Sequence, residues 1–291
     1  MQARQFELFR QHLSRLTRRR RDRLLALLQS AAGLDRVREI VEHPAAPPAC
    51  PHCHAGNPYR HGHAHGLQRY RSRLCRRTFN ALSGTPLTRL RHKAHWLDYL
   101  DCMLDSRSVR RSAEEIGVAG TTSFRWRHRF LARSKDDRPA RLGGIAEADE
   151  MYLLESHKGA RHLDRPPRKR GGKARKRGLS SEQVCILVAR DRSGQTIDAV
   201  TGKGTVNQRQ LLKHLGPRLE RDVLLVTDSH AAYPAFARAA GISHEAVNTS
   251  GGEKRRGALH IQNVNAYHSR MRAWLLPFRG VASRYLSHYF G

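Results

Sequence analysis

The sequence predicts a multidomain chain: a Cys-rich ribbon and a helical hairpin in front, then an α/β domain with a mixed central sheet. Three observations carry that division. Cysteine, histidine, glycine and tyrosine crowd residues 49–88, where no long helical period appears. Apolar residues return at helical spacing across 92–134. From Ile145 onward, short apolar runs alternate with helical stretches, the mark of an α/β domain.

A chain of 291 residues suits two or three small domains rather than one large one. Lys and Arg number 54 against 25 Asp and Glu, a formal net charge of +29. Such an excess repels itself in a compact state, so it points to a polyanionic partner. No stretch reaches the roughly 18 apolar residues that a bilayer crossing needs. No short apolar core with a small-residue cleavage site marks a secretory signal either. Nucleic acid is therefore the expected partner, a membrane is not, and the cytoplasm is the expected location. The five cysteines, at 50, 53, 75, 102 and 185, make no disulfide framework. They fit a reducing compartment with one metal site. Cys102 and Cys185 stand alone in apolar runs and read as small buried hydrophobes.

The elements follow in order. Residues 1–48 read as a helical segment, with Phe6, Leu8, Phe9 and Leu13 and then Leu24, Leu25, Leu27 and Leu28 near helical spacing. Arg18 to Arg21 interrupts them, and Pro44, Pro47 and Pro48 close the segment. Residues 49–90 are the ribbon candidate. Cys50 and Cys53 form a CxxC knuckle and Cys75 stands in a second, incomplete turn. Tetrahedral Zn²⁺ takes four thiolate or imidazole ligands from two facing turns, yet Ser72 occupies the place of a fourth cysteine. His61, His63 and His65 lie between the turns as alternative fourth ligands, and a loose basic loop with unpaired thiols is the rival reading. Residues 91–134 contain a helix-turn-helix candidate: Ser108 to Ile116, a stop at Gly117, then a second helix from Thr121. Ser123, Arg125, Arg127, His128 and Arg129 are taken as its exposed side, with the arginines reaching DNA. An ordinary helical hairpin with solvated arginines would read the same way. Ser134 to Gly144 is a linker.

In the back half, 145–291, Ile145 to Leu154 reads as a strand. Val184 to Arg190 and Thr196 to Val200 read as a hairpin, and Val206 to Leu215 as a helix. Val223 to Val226 reads as a buried strand, Ala231 to Ala240 as a helix, Glu245 to Val247 as a strand and His260 to Leu276 as a final helix. That is the element order of an RNase H-like domain. Glu147, Asp149 and Glu150 sit inside the first strand, an expensive place for carboxylates unless they hold a cation. Asp228 ends the second buried strand run, where it can point into a site. Two carboxylates on neighbouring central strands suit a two-metal phosphoryl-transfer centre with Mg²⁺ or Mn²⁺, and surface or turn carboxylates are the alternative. Residues 165–177 hold eight Lys or Arg, including Lys169, Arg170 and Lys173. They read as a flexible basic arm that follows DNA phosphates.

Three blocks give this reading a family. Glu147 to Tyr152, Val226 to Tyr233 and His260 to Arg272 resemble the catalytic blocks of bacterial insertion-sequence transposases. In that group an Asp-Asp-Asn triad followed by Lys replaces the commoner Asp-Asp-Glu. Gly66 to Arg71, Arg77 to Leu87 and the tail from Trp274 are similar as well, so the resemblance runs from about residue 45 to the end. It implies that Asp149 and Asp228 are the metal-binding aspartates and Asn265 the third ligand. The family's Lys falls on Arg272, seven residues after Asn265 and so two helical turns along the same face. Arg keeps the charge and can grip a phosphate, though with a longer, planar head. The resemblance further implies binding to an element's terminal repeats and to target DNA, self-association on DNA, strand cleavage and strand transfer, at the nucleoid. The rival expectations are a catalytically inactive DNA-binding regulator and an RNase H-like nuclease without strand transfer.

Overall fold

The computed structural model describes residues 16–42, 48–133, 138–169, 171–248 and 251–290. It divides into two compact units, 1–129 and 130–291. No helix among the described residues is long and apolar enough to cross a membrane.

The first unit opens with α1 (Arg18–Glu42), which starts at the arginine run that the sequence pattern treated as an interruption. Arg side chains propagate a helix about as well as Lys or Leu, so charge alone does not break it. The earlier apolar set Phe6, Leu8, Phe9 and Leu13 lies outside the described residues. A three-stranded antiparallel sheet follows, β1 (Tyr59–Ala64), β2 (Leu67–Arg71) and β3 (Thr78–Phe79), in the order β1-β2-β3. Gly66 at φ +81 turns the β1–β2 hairpin and packs against Leu34 of α1. Then come α2 (Trp96–Leu104), α3 (Val109–Ile116) and α4 (Gly120–Arg133). Ser108 caps α3 by accepting from the Arg111 amide at 3.3 Å, and Gly117 ends it in the left-handed conformation at φ 72.

The α3–α4 crossing is built from small buried residues, Ser112, Ala113 and Ser123, with the Ser123 hydroxyl donating to the Val109 carbonyl at 2.8 Å. Tyr99 of α2 meets Trp126 of α4 edge-on at 5.2 Å. Two residues expected on the exposed face of α4 therefore belong to its buried face. Ser123 is one. Arg127 is the other: it is buried, and it donates to the Arg107 carbonyl at 2.6 Å and to Ser112 Oγ at 3.2 Å. It clamps the loop before α3 and cannot reach DNA from there. Its alternating Arg neighbours hid this, because helical spacing shows a face but not which face is inward.

The second unit is a five-stranded mixed sheet in the order β6-β5-β4-β7-β8. Its strands are β4 (Ile145–Leu154), β5 (Gln183–Asp191), β6 (Thr196–Lys203), β7 (Leu224–Thr227) and β8 (Ser243–Ala246). β4, β5 and β6 form an antiparallel meander, whereas β7 pairs parallel to β4 and β8 parallel to β7. The helices α5 (Gln208–His214), α6 (Ala232–Ala240), α7 (Gln262–Leu275) and the short α8 (Leu286–Tyr289) complete the unit. Asn207 starts α5 with a capping box closed by Gln210.

The sheet's two faces carry separate cores. Ala146, Ala148, Leu187 and Leu225 pack with Leu211, Tyr233 and Phe236 of α5 and α6. Met151, Ile186 and Val188 pack with Val264, Met271, Leu286 and Phe290 of α7 and the tail. Cys102 and Cys185 are both buried, as their apolar surroundings suggest.

Candidate active site and metal centre

Side chains alternate across a strand, so the acidic run of β4 must divide between the two faces. Glu147 and Asp149 share the face of Met151, toward α7, and Glu150 turns to the α6 side, where Tyr233 donates its phenolic proton to it. β4 and β7 run parallel with Ala148 opposite Thr227. Asp149 and Asp228 each lie one residue beyond that pair, at the carboxyl end of β7. Asp228 Oδ1 accepts the His230 amide at 3.1 Å, which fixes the turn into α6.

The electrostatics follow from burial and crowding. Desolvation, helped by the charges of Glu150 and Asp228, pushes the Asp149 carboxyl up to about 7. Desolvation and the Asp228 charge likewise raise Glu150 to about 7, against the opposing hydrogen bond from Tyr233. For Asp149 the backbone amide of Glu150 and the Arg272 charge oppose the rise without cancelling it.

The other side of the site comes from α7. Asn265, His268 and Arg272 fall on one face of this helix, at spacings of three and four. Asn265 is half-buried and Arg272 exposed. His268 is buried, with Nδ1 at 3.7 Å from Asp149 Oδ2 and no hydrogen-bond partner for Nε2. Burial, and secondarily the Arg272 charge, lower its pKa to about 4, so the ring is neutral at pH 7.

Glu147 lies deeper. Its side chain has no exposure, yet its carboxylate is fully engaged. It accepts the Asn263 amide at 2.8 Å, the Val264 amide at 3.1 Å and Asn263 Nδ2 at 2.9 Å, and it pairs with Arg192. His260 and His268 were given no role in the sequence pattern, and Glu147 and Glu150 were no more than parts of an acidic run. The signal for His268 was present: it sits on the Asn265–Arg272 face. Nothing local signals the partners of Glu147: Arg192 is 45 residues away, and Asn263 and Val264 are more than a hundred.

The donor set of Asp149, Asp228 and Asn265 offers hard oxygens, the chemistry of Mg²⁺ or Mn²⁺. Among the described residues, no three His, Cys, Asp or Glu ligand atoms lying mutually within 4.8 Å include Asp149 or Asp228.

In the first unit the sulfurs of Cys50, Cys53 and Cys75 lie within 4.8 Å of one another. Cys50 and Cys75 are 3.6 Å apart, close to the roughly 3.7 Å spacing that two thiolates on one tetrahedral zinc require. Ser72 lies beside the cluster: it is buried, and its hydroxyl is 3.4 Å from Cys53 Sγ and 3.3 Å from the Cys75 amide. That hydroxyl, with the Ala55 amide, lowers the Cys53 thiol to about 6. His61, His63 and His65 do not join the cluster.

On α4, Arg125 and Arg129 are exposed, with Arg129 donating to the Pro86 carbonyl at 3.3 Å. In the basic arm, Lys169 and Lys173 are exposed, and Arg170 lies outside the described residues. Arg168 anchors the arm, donating to the Glu155 carbonyl at 2.7 Å and pairing with Glu182 at 3.2 Å.

Known proteins place these features. The family model described as "ISXO2-like transposase domain" matches residues 141–291. An uncharacterized protein in transposable element ISH50 of Halobacterium salinarum is 31% identical over 243 residues, which span 82% of each chain. Among solved structures, a simian T-cell lymphotropic virus intasome in complex with PP2A regulatory subunit B56 gamma matches with a TM-score of 0.33 and 11% identity, over 66% of each chain. A pre-cleavage Mos1 transpososome matches with a TM-score of 0.21 and 14% identity, over 67% of this chain and 77% of that one. Overlaps that loose establish no shared fold. The family match covers more than half of the chain, and the sequence relative most of it: the chain belongs to the ISXO2-like transposase family.

Proposed function

We propose that the chain is the metal-dependent transposase of an insertion element, using Asp149, Asp228 and Asn265 at the metal site and Arg272 at a DNA phosphate. The observation that supports it most is the meeting of three sequence-distant blocks. Asp149 and Asp228 end one parallel strand register, and α7 lies against Asp149 with Asn265, His268 and Arg272 on one face. The order of strands and helices in this unit suits the RNase H-like reading. A bound divalent pair would supply charge neutralisation at the attacking and leaving oxygens of phosphoryl transfer. Asp149 and Asp228 hold that position in the sheet, Asn265 adds a neutral oxygen, and Arg272 grips the DNA phosphate. The outcome is cleavage of the element's strands by water, followed by joining of the freed 3′-OH to target DNA.

The first unit is proposed as the end-recognising half, with the Cys cluster holding Zn²⁺ and the helix pair α3–α4 presenting Arg125 and Arg129 to DNA. The deciding experiment is an oligonucleotide carrying the element's ends, incubated with protein and Mg²⁺ or Mn²⁺. Cleaved and joined products support the reading. Cleavage without joining makes the protein a nuclease, and binding alone makes it a regulator.

Two further results are expected. Ser72→Cys adds a fourth thiolate where a hydroxyl now lies beside the cluster, so it should raise Zn²⁺ affinity at least about tenfold. Competition with a chromogenic chelator reads this, and an unchanged affinity removes Ser72 from the site. DNA binding should fall steeply with salt, each neutralised phosphate adding about 0.9 to the log–log slope. Deleting residues 165–177 should flatten that slope and leave the preference for element ends. An equal slope in the deletion takes the arm off the DNA path.

A further inference from the structure

The N-terminus of α7 has no cap of its own. Ile261 precedes it and supplies no side-chain hydrogen bond to the first-turn amides. An α-helix leaves its first amides without intrahelical partners, and they must be satisfied elsewhere. Here the acceptor comes from the middle of β4: Glu147 Oε2 takes the amides of Asn263 and Val264, at 2.8 and 3.1 Å. The same carboxylate accepts Asn263 Nδ2 at 2.9 Å through Oε1, pairs with Arg192 and stands 3.3 Å from His260 Nδ1. Arg192 in turn donates to the Ala258 carbonyl at 2.8 Å and contacts the His260 ring at 3.0 Å. A carboxylate at a helix N-terminus also meets the positive end of the helix dipole.

This places one negative charge on the strand position two before Asp149, and its ligands immediately before Asn265. We infer that Glu147 is a positioning residue: by capping α7 it fixes the height and rotation of that helix against β4, and so sets where Asn265 and His268 stand relative to Asp149. The inference rests on the metal-site reading above. Glu147 is buried with its carboxylate taken up by Asn263, Val264 and Arg192, so it acts through Asn265. Its buried charge is matched by Arg192 and by the helix amides, so it is not itself a spare metal ligand.

The test is Mn²⁺ binding to the full chain, followed by water-proton relaxation and without DNA. Glu147→Gln keeps the size of the side chain but puts an amide where two oxygens accept. It should weaken Mn²⁺ about tenfold, the lower end of what loss of a ligand-orienting partner costs. Asn265→Ala should weaken it similarly. The double variant should be no weaker than Asn265→Ala alone, because the cap has nothing left to position. A role limited to folding would instead add its loss to that of Asn265→Ala.

An unchanged affinity in Glu147→Gln, or additive losses in the double variant, overturns the inference while the metal site stands. Unchanged affinity in Asn265→Ala and Asp149→Asn overturns the metal-site reading and the inference with it. Should Glu147→Gln fail to fold, Asn263→Ala removes one donor from the same carboxylate. It should give a smaller weakening in the same direction, and no weakening at all counts against the cap.

Discussion

Asp149→Asn and Asp228→Asn should each lose strand cleavage and joining by about a thousandfold or more, the several kcal/mol that metal charge stabilisation contributes. Both changes keep the side chain's size and remove one negative charge from a proposed site that lacks a third carboxylate. In metal-free protein the same changes should leave folding intact or improve it, because each relieves repulsion among Asp149, Glu150 and Asp228. Asn265→Asp is the informative partner: it adds the missing charge, so metal should bind more tightly. The measurement is a metal titration of cleavage on all four proteins, with melting curves in chelator. Wild-type cleavage by both aspartate variants would remove these residues from the chemistry.

The second large effect is on stability against pH in the absence of metal. Asp149 and Glu150 hold their protons up to about 7 in the folded chain, against ordinary values of 3.8 and 4.5. Below those ordinary values both states are protonated and the shifts contribute no difference. As pH rises, the unfolded chain releases its protons first, and the folded chain loses relative stability until pH passes about 7. One group displaced by about 3 units corresponds to on the order of 4 kcal/mol. Two coupled groups share less than twice that. Glu155, lowered mainly through Lys203 and His157 against its burial, works in the opposite sense, so the informative quantity is a difference between proteins. Asp149→Asn should match wild type near pH 4 and exceed it by a few kcal/mol at pH 8. Denaturant unfolding in chelator at both values measures this, and a pH-independent gap would show that Asp149 carries no raised pKa.

The sheet was legible in the sequence where strands are buried. β4 matches its expected bounds to the residue, and β7 and α7 shift by one or two positions at their ends. Period and apolar content suffice there because burial on both faces leaves little choice of register. Strand reading already placed Asp149 and Asp228 on neighbouring strands, but that α7 joins them was legible only through family resemblance, since no local pattern tells a strand which helix will cross it. Arg127 shows the limit most plainly. An arginine two residues from exposed arginines reads as surface, yet its guanidinium satisfies a loop carbonyl inside the helix pair. The Cys cluster was the reverse case: the spacing singled out Cys50, Cys53 and Cys75, and their sulfurs do lie together, with Ser72 beside Cys53.

The bond from Glu147 to the start of α7 spans 116 residues of chain. Closing so long a loop comes late in folding, after the local hairpins and helices have formed. During synthesis, β4 and β7 can pair while α7 is still inside the ribosome, but Asn265, His268 and Arg272 are not yet beside them. A chain that ends before α7 therefore keeps the strand pair but lacks the Asn265–Arg272 face beside Asp149. On the proposed metal-site reading, the order of the blocks ties cleavage to a chain completed through α7, because Asn265 and Arg272 join Asp149 only then.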